Sequence, residues 1–230
     1  NQFLVSFGLS DKDFTSNIEV DFRVMENSSI PGLRNILVLF NGVPGICLFD
    51  KFIPEECPDE RIFTLVGNGN DISEGQLQNL SNWSNLTSLD FSSSENLSNT
   101  DALSSLINLT TLNLSSCKSL TNLDGLSGLT NLTTLNLSSC NSLTNLDVLS
   151  VLTNLSILNL SSFKSLTNLD VLSGLTNLTS LDLWNCGNLS NVDGLKKLTM
   201  LTKLNLAKCY GIKSMDSVSY LTNLTILKLS

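Results

Sequence analysis

Asn108 to Thr130 reads NLTTLNLSSCKSLTNLDGLSGLT, Asn131 to Thr153 reads NLTTLNLSSCNSLTNLDVLSVLT, and Asn154 to Thr176 reads NLSILNLSSFKSLTNLDVLSGLT. The second stretch departs from the first at three positions, the third at four. A period of 23 residues therefore organises this part of the chain. A more diverged copy precedes it from Asn85, two diverged copies follow from Asn177 and Met200, and the partial copy NLTILKLS runs from Asn223 to Ser230. In the first unit the apolar ladder is Leu109, Leu112, Leu114, Leu120, Leu123, Leu126 and Leu129. Leu112-x-Leu114 suits a short strand, and the later leucines, three apart, suit a tight helical turn on the opposite wall. One unit cannot bury so many leucines. Stacked units bury them against each other as a continuous core, with the strands about 4.8 Å apart in a parallel sheet.

The ladder L-x-x-L-x-L-x-x-C-x-x-L resembles the leucine-rich-repeat superfamily, in the variant with Cys where Asn is commoner. The spacing and the Ser-Ser-Cys turn look like repeats of protozoan and bacterial surface proteins. The resemblance implies an α/β solenoid: a parallel β-sheet on the concave face, short helical turns on the convex face, and a β-rich N-terminal cap. It says little about function, because the superfamily binds many different things.

Upstream of Asn85 the pattern decays. Residues 62–84 fit a degenerate repeat through Ile62, Leu65, Asn70, Ile72, Leu77 and Leu80. Ile18, Val20, Phe22 and Val24 alternate with charged residues as in a half-buried strand. Asn41-Gly42-Val43-Pro44-Gly45 is a turn signal between two apolar runs. The expected organisation is a β-rich cap over residues 1–61, the degenerate repeat, and 23-residue repeats over 85–230.

Of the 230 residues, 41% are apolar and only 15% charged, below the usual share of roughly 25%. The formal net charge of −8 argues against a nucleic-acid or anionic-membrane partner, both of which need a basic footprint. No apolar run approaches the ~20 residues of a membrane helix. The chain has no histidine, which removes the usual general base and metal ligand; an enzyme and a cofactor are not expected. It starts at Asn1 without a Met, as a cleaved leader or an excised fragment would leave it.

Several constellations invite a functional reading. Cys117, Cys140, Cys186 and Cys209 share one repeat position, with Phe163 and Ser94 in its other copies. Thiols on successive or alternate rungs face the same way and cannot close a metal tetrahedron, so buried, reduced packing is expected. Cys47 and Cys57 lie outside the ladder and are disulfide candidates in an oxidising compartment. Asp101, Asp124, Asp147, Asp170, Asp193 and Asp216 form an unbroken ladder. Calcium binding is one reading; capping of the following helical turn by each carboxylate is the simpler one. Sequons are abundant, and Asn27, Asn79, Asn82, Asn96 and Asn188, outside the strand ladders, are the glycosylation candidates.

The inner face should present Thr111, Asn113 and Ser115, then Thr134, Asn136 and Ser138, then Ile157, Asn159 and Ser161. An array this regular would suit an ordered lattice such as ice or a polysaccharide; recent duplication explains it more simply. Variation begins at Asp182, Trp184, Asn185, Lys203 and Lys228, the candidate ligand patch, with Trp184 as anchor. At the other extreme, Leu224, Leu227 and Leu229 of the partial unit would leave an apolar face without a neighbour, a candidate end-to-end interface. Two functions follow. The first is an extracellular or cell-surface structural glycoprotein, a stiff rod associating end to end into a fibre with other copies of itself. The second is a binding ectodomain or adhesin whose face around Trp184 meets another protein or a glycan.

Overall fold

The computed structural model describes residues 20–26, 34–40, 43–49, 64–67 and 77–230, with side chains for 64–66 and 77–230. Eleven strands follow one another across one sheet in chain order. β1 (Val20–Glu26), β2 (Arg34–Phe40) and β3 (Val43–Phe49) pair antiparallel. Phe40 lies opposite Val43 and Leu39 opposite Pro44, so Val43-Pro44-Gly45, expected in the turn, belongs to β3 instead. From β3 onward every pairing is parallel: β4 (Thr64–Gly67), β5 (Ser88–Asp90), β6 (Thr111–Asn113), β7 (Thr134–Asn136), β8 (Ile157–Asn159), β9 (Ser180–Asp182), β10 (Lys203–Asn205) and β11 (Ile226–Lys228).

Each repeat strand from β5 to β11 is three residues long and centred on a leucine. That leucine is buried in β5–β10 between half-exposed or exposed neighbours, whereas Leu227 of β11 is exposed. On the opposite wall each unit makes a short 3₁₀ turn, such as Asp124–Leu126, Asp147–Val151 and Asp170–Leu172. The leucines between the walls merge into one core that runs from Leu65 to Leu221. This is the solenoid of stacked 23-residue units that the resemblance to leucine-rich repeats implies.

Polar side chains tie the units as regularly as the leucines fill them. Thr110, Thr133, Ser156, Thr179, Thr202 and Thr225 each donate a hydroxyl hydrogen bond to the carbonyl 23 residues earlier. The first Asn of a unit does the same one residue further back: Asn131 Nδ2 reaches Ile107 O, and Asn154 Nδ2 reaches Thr130 O, both at 2.9 Å. Sequons at these positions are thus part of the fold's hydrogen bonding.

The Ser-Ser-Cys turn has its own backbone requirement. Ser93, Ser116, Ser139, Ser162, Asn185 and Lys208 all lie near φ 60°, in the left-handed region. The reward is a forward hydrogen bond: Ser139 N–H donates to Ser161 O at 2.9 Å and Ser162 N–H to Trp184 O at 2.6 Å. The next residue, cysteine in four units, then points inward.

Candidate functional site

The solvent face of the sheet is built from residues on either side of each buried strand leucine. Asn113, Asn136 and Asn159 stand in one row on neighbouring strands. Each turns its Oδ1 back to accept the N–H of the second residue on, Ser115, Ser138 or Ser161, at 3.1, 3.0 and 2.9 Å. These Asx turns end the strands. The uniform rows of the central units therefore have a folding role.

Toward the C-terminal units the same three rows change chemistry. One row reads Ile157, Ser180, Lys203, Ile226, and its neighbour reads Asn159, Asp182, Asn205, Lys228. Asp182 keeps the turn role, accepting Trp184 N–H at 2.8 Å. Trp184 is 38% exposed, and Lys208 Nζ sits 4.9 Å from its ring centroid, within cation–π range. Asn185 Nδ2 donates to Ser162 Oγ at 3.2 Å. The structure thus brings Asp182, Trp184, Asn185, Lys203 and Lys228 onto three adjacent strands and the turns that follow them.

Sequence reasoning missed members of this surface. Lys208 flanks Trp184 through the next turn, and Ile157 and Ile226 are exposed in the Lys203 row. A signal was available: Lys208 stands where the central units have serine. So was a second. Six of the 13 basic residues, but only two of the 21 acidic ones (Asp193 and Asp216), fall within residues 191–230. Of these, Lys196 and Lys197 lie in the 3₁₀ turn on the opposite wall, while Lys203, Lys208 and Lys228, against Asp182, give the face that carries Trp184 a local excess of positive charge.

The cysteine ladder is buried and unbridged. Each thiol donates to a carbonyl 26 residues earlier: Cys117 to Phe91 O and Cys186 to Leu160 O at 3.2 Å, Cys140 to Leu114 O and Cys209 to Leu183 O at 2.9 Å. Burial pushes Cys117 up to about 12 and Cys140 up to about 11. The neighbouring Cys209 thiol, together with burial, raises Cys186 as well, and the same pairing lowers Cys209. Cys117, Cys140 and Cys186 are inert packing groups, and all four thiols satisfy a carbonyl of the preceding unit. No group of three or more His, Cys, Asp or Glu side chains suited to a metal ion occurs among the described residues.

The aspartate ladder differs from expectation. Each Asp is the first residue of its 3₁₀ turn, and no side-chain cap bond is made to the turn. The oxygen that works there belongs to the asparagine two residues earlier. Asn99, Asn145, Asn168 and Asn191 accept the N–H of Asp101, Asp147, Asp170 and Asp193 at 3.0, 2.7, 3.0 and 2.7 Å. The carboxylates face solvent instead; Asp193 is held below the ordinary carboxylate range by Lys196, 2.8 Å away, and by the Ser217 hydroxyl.

Cys57 and Asn27 lie outside the described residues, as does the Cys47 side chain. Among the other sequon candidates, Asn188 is exposed but donates its Nδ2 to Lys164 O at 2.7 Å, and Asn79, Asn82 and Asn96 also have interaction partners. Leu224 packs partly against the core, whereas Leu227 and Leu229 are 40% and 56% exposed. No helix among the described residues is long and apolar enough to cross a membrane.

A family model of leucine-rich repeats, two copies, matches residues 107–151. No curated protein matches. Among solved structures the chain is similar to internalin C2 of Listeria monocytogenes, at 29% identity over 74% of this chain and 72% of that one, with a TM-score of 0.66. It is also similar to the functional domain of InlJ from the same organism, described as including a cysteine ladder, at 28% identity and a TM-score of 0.58. That match covers 79% of this chain and 37% of the InlJ chain, so this chain spans little more than a third of its length. A leucine-rich-repeat protein of Leptospira interrogans shares the fold alone, at 18% identity over 76% of this chain and 64% of that one, with a TM-score of 0.52. Repeat sequence, parallel sheet and buried thiol ladder converge: the chain has the leucine-rich-repeat fold, in a cysteine-containing form similar to bacterial repeat proteins.

Proposed function

We propose that this chain is a non-enzymatic, extracellular protein-binding module whose contact surface is the solvent face of β9–β11 and the turns that follow. One observation carries the reading: a face nearly constant through β6–β8, apart from Ile157, diverges on adjacent strands into exposed Trp184, exposed Ile226 and the lysines Lys203, Lys208 and Lys228. Exposed aromatic side chains are the usual energetic centre of a protein interface, and lysines around one steer a partner of opposite charge toward it. The local positive charge selects a partner that is acidic at the contact, and the Trp184 ring supplies the apolar anchor. The alternative, a glycosylated rod joined end to end through Leu224, Leu227 and Leu229, draws on the uniformity of β6–β8. It gives no reason for the divergence at β9–β11.

The test is capture of surface proteins by the immobilised chain, with variants on both parts of the sheet. Trp184→Ala and Lys203→Glu are expected to lose the captured partner, and Thr134→Ala, in the uniform part, to keep it. Retention of the same partner by all three variants rejects the proposal.

A further inference from the structure

The face of β9–β11 carries charges that the fold does not require. In the central units the third residue of the strand closes an Asx turn, and a neutral amide is enough for it. Asn136, Asn159 and Asn205 accept the N–H two residues on at 3.0, 2.9 and 3.1 Å. Asp182 makes the same bond at 2.8 Å with a carboxylate. An asparagine would complete the β9 turn equally well, so the negative charge of Asp182 has no part in it.

Nor is that charge used within the sheet. On β5 and β6 the equivalent pairing of Asp with Asn is closed: Asp90 Oδ1 accepts Ser92 N–H at 2.8 Å, and Oδ2 accepts Asn113 Nδ2 at 3.0 Å. On β9 and β10, Asp182 lies opposite Asn205, but its bond is the one from Trp184 N–H to Oδ1. No hydrogen bond reaches Asp182 Oδ2 among the described residues. The ion pairs among those residues are Lys118–Glu95 and Lys196–Asp193, so none of the lysines on this face neutralises Asp182.

The lysines are equally unprompted by the repeat. Lys203 stands where β6 and β7 have threonine, and Lys228 where they have asparagine; both are exposed. The register fixes the layout. Asp182, Asn205 and Lys228 occupy one row, so Asp182 and Lys228 are two strand spacings apart, roughly 10 Å. Lys203 is on the intervening strand, opposite Ser180.

We propose that this face recognises a protein segment of mixed charge, with a lysine or arginine at Asp182 Oδ2, a carboxylate at Lys228 or Lys203, and an apolar side chain against Trp184. It rests on the β9–β11 binding surface and narrows the chemistry of the partner. An extended chain advances ~3.3 Å per residue, so the basic and acidic residues of the segment are about three positions apart. A polyanion, nucleic acid or sulfated glycan, would bring negative charge onto Asp182 as well as onto the lysines. That repulsion is the discrimination which Asp182 supplies and asparagine would not.

The experiment is selection of a random dodecapeptide phage library on the immobilised whole chain, on Asp182→Asn and on Trp184→Ala, followed by sequencing. Asp182→Asn keeps the turn bond, as Asn136 does. Wild-type chain is expected to enrich peptides with Lys or Arg near an Asp or Glu by about threefold over the unselected library, the worth of one exposed ion pair. On Asp182→Asn the acidic residue should persist and the basic enrichment disappear. If the wild-type peptides are acidic without enriched Lys or Arg, or if Asp182→Asn enriches basic residues equally, the proposal is overturned and the β9–β11 surface stands. If Trp184→Ala recovers the same peptides as wild type, or wild type enriches none, the surface itself is rejected and the mixed-charge partner with it.

Discussion

Ser139 shows what a single residue contributes to the repeat. Its φ of 60° is a conformation in which an L side chain costs roughly 1–2 kcal/mol, and the turn holds it there in return for the bond to Ser161 O. Asn185, a residue better tolerated in this region, already occupies one copy of the position. Glycine avoids the steric cost but adds about 0.5–1 kcal/mol of chain entropy. Ser139→Gly is therefore expected to stabilise the fold by about 0.5 kcal/mol, read as a higher urea midpoint with an unchanged m value. The ladder thiols make a second residue-scale prediction. With pKa values raised from 9.0 to about 12 at Cys117 and about 11 at Cys140, the folded chain keeps protons that the unfolded chain releases. Their contribution to stability is whole below pH 9 and declines as the pH climbs from there through 11 and 12. The denaturant midpoint should fall over that window, and Cys117 and Cys140 should label far more slowly than free cysteine at pH 8.

The 3₁₀ turn is the element where sequence and structure part company. Asn145 and Asp147 both carry an oxygen that can accept a backbone N–H, and both recur with the same period. The pattern cannot say which one turns inward. The structure assigns the work to Asn145, whose Oδ1 accepts Asp147 N–H at 2.7 Å. Asn145→Ala should cost about 1 kcal/mol, as loss of a cap does, while Asp147→Ala should stay within about 0.5 kcal/mol of wild type. Thermal unfolding of the two variants checks the order; a larger loss for Asp147→Ala would return the role to the carboxylate. The leucine positions, by contrast, were legible from the period alone, because a residue that must be buried in every unit leaves a mark every 23 residues. The patch members Asp182, Trp184, Asn185, Lys203 and Lys228 were legible as departures from that period. Lys208 was not, because its relation to Trp184 runs through a turn that brings the next unit alongside.

At the scale of the whole molecule each unit touches mainly its two neighbours, so stability is a sum over units and over the contacts between them. Inserting a second copy of residues 131–153 after Thr153 should give a folded chain with a higher melting temperature. Its m value should rise by roughly a tenth, in proportion to the added surface. A lower melting temperature would show that the units are not interchangeable. The hydroxyl, carboxamide and thiol bonds between units span 23, 24 and 26 residues. Removing or adding a whole unit leaves every such partner in register, whereas a change of one residue shifts all the bonds that cross it. The length of this chain is in that sense quantised: evolution, or an engineer, can lengthen or shorten it in steps of 23 residues, and steps in between are closed to both.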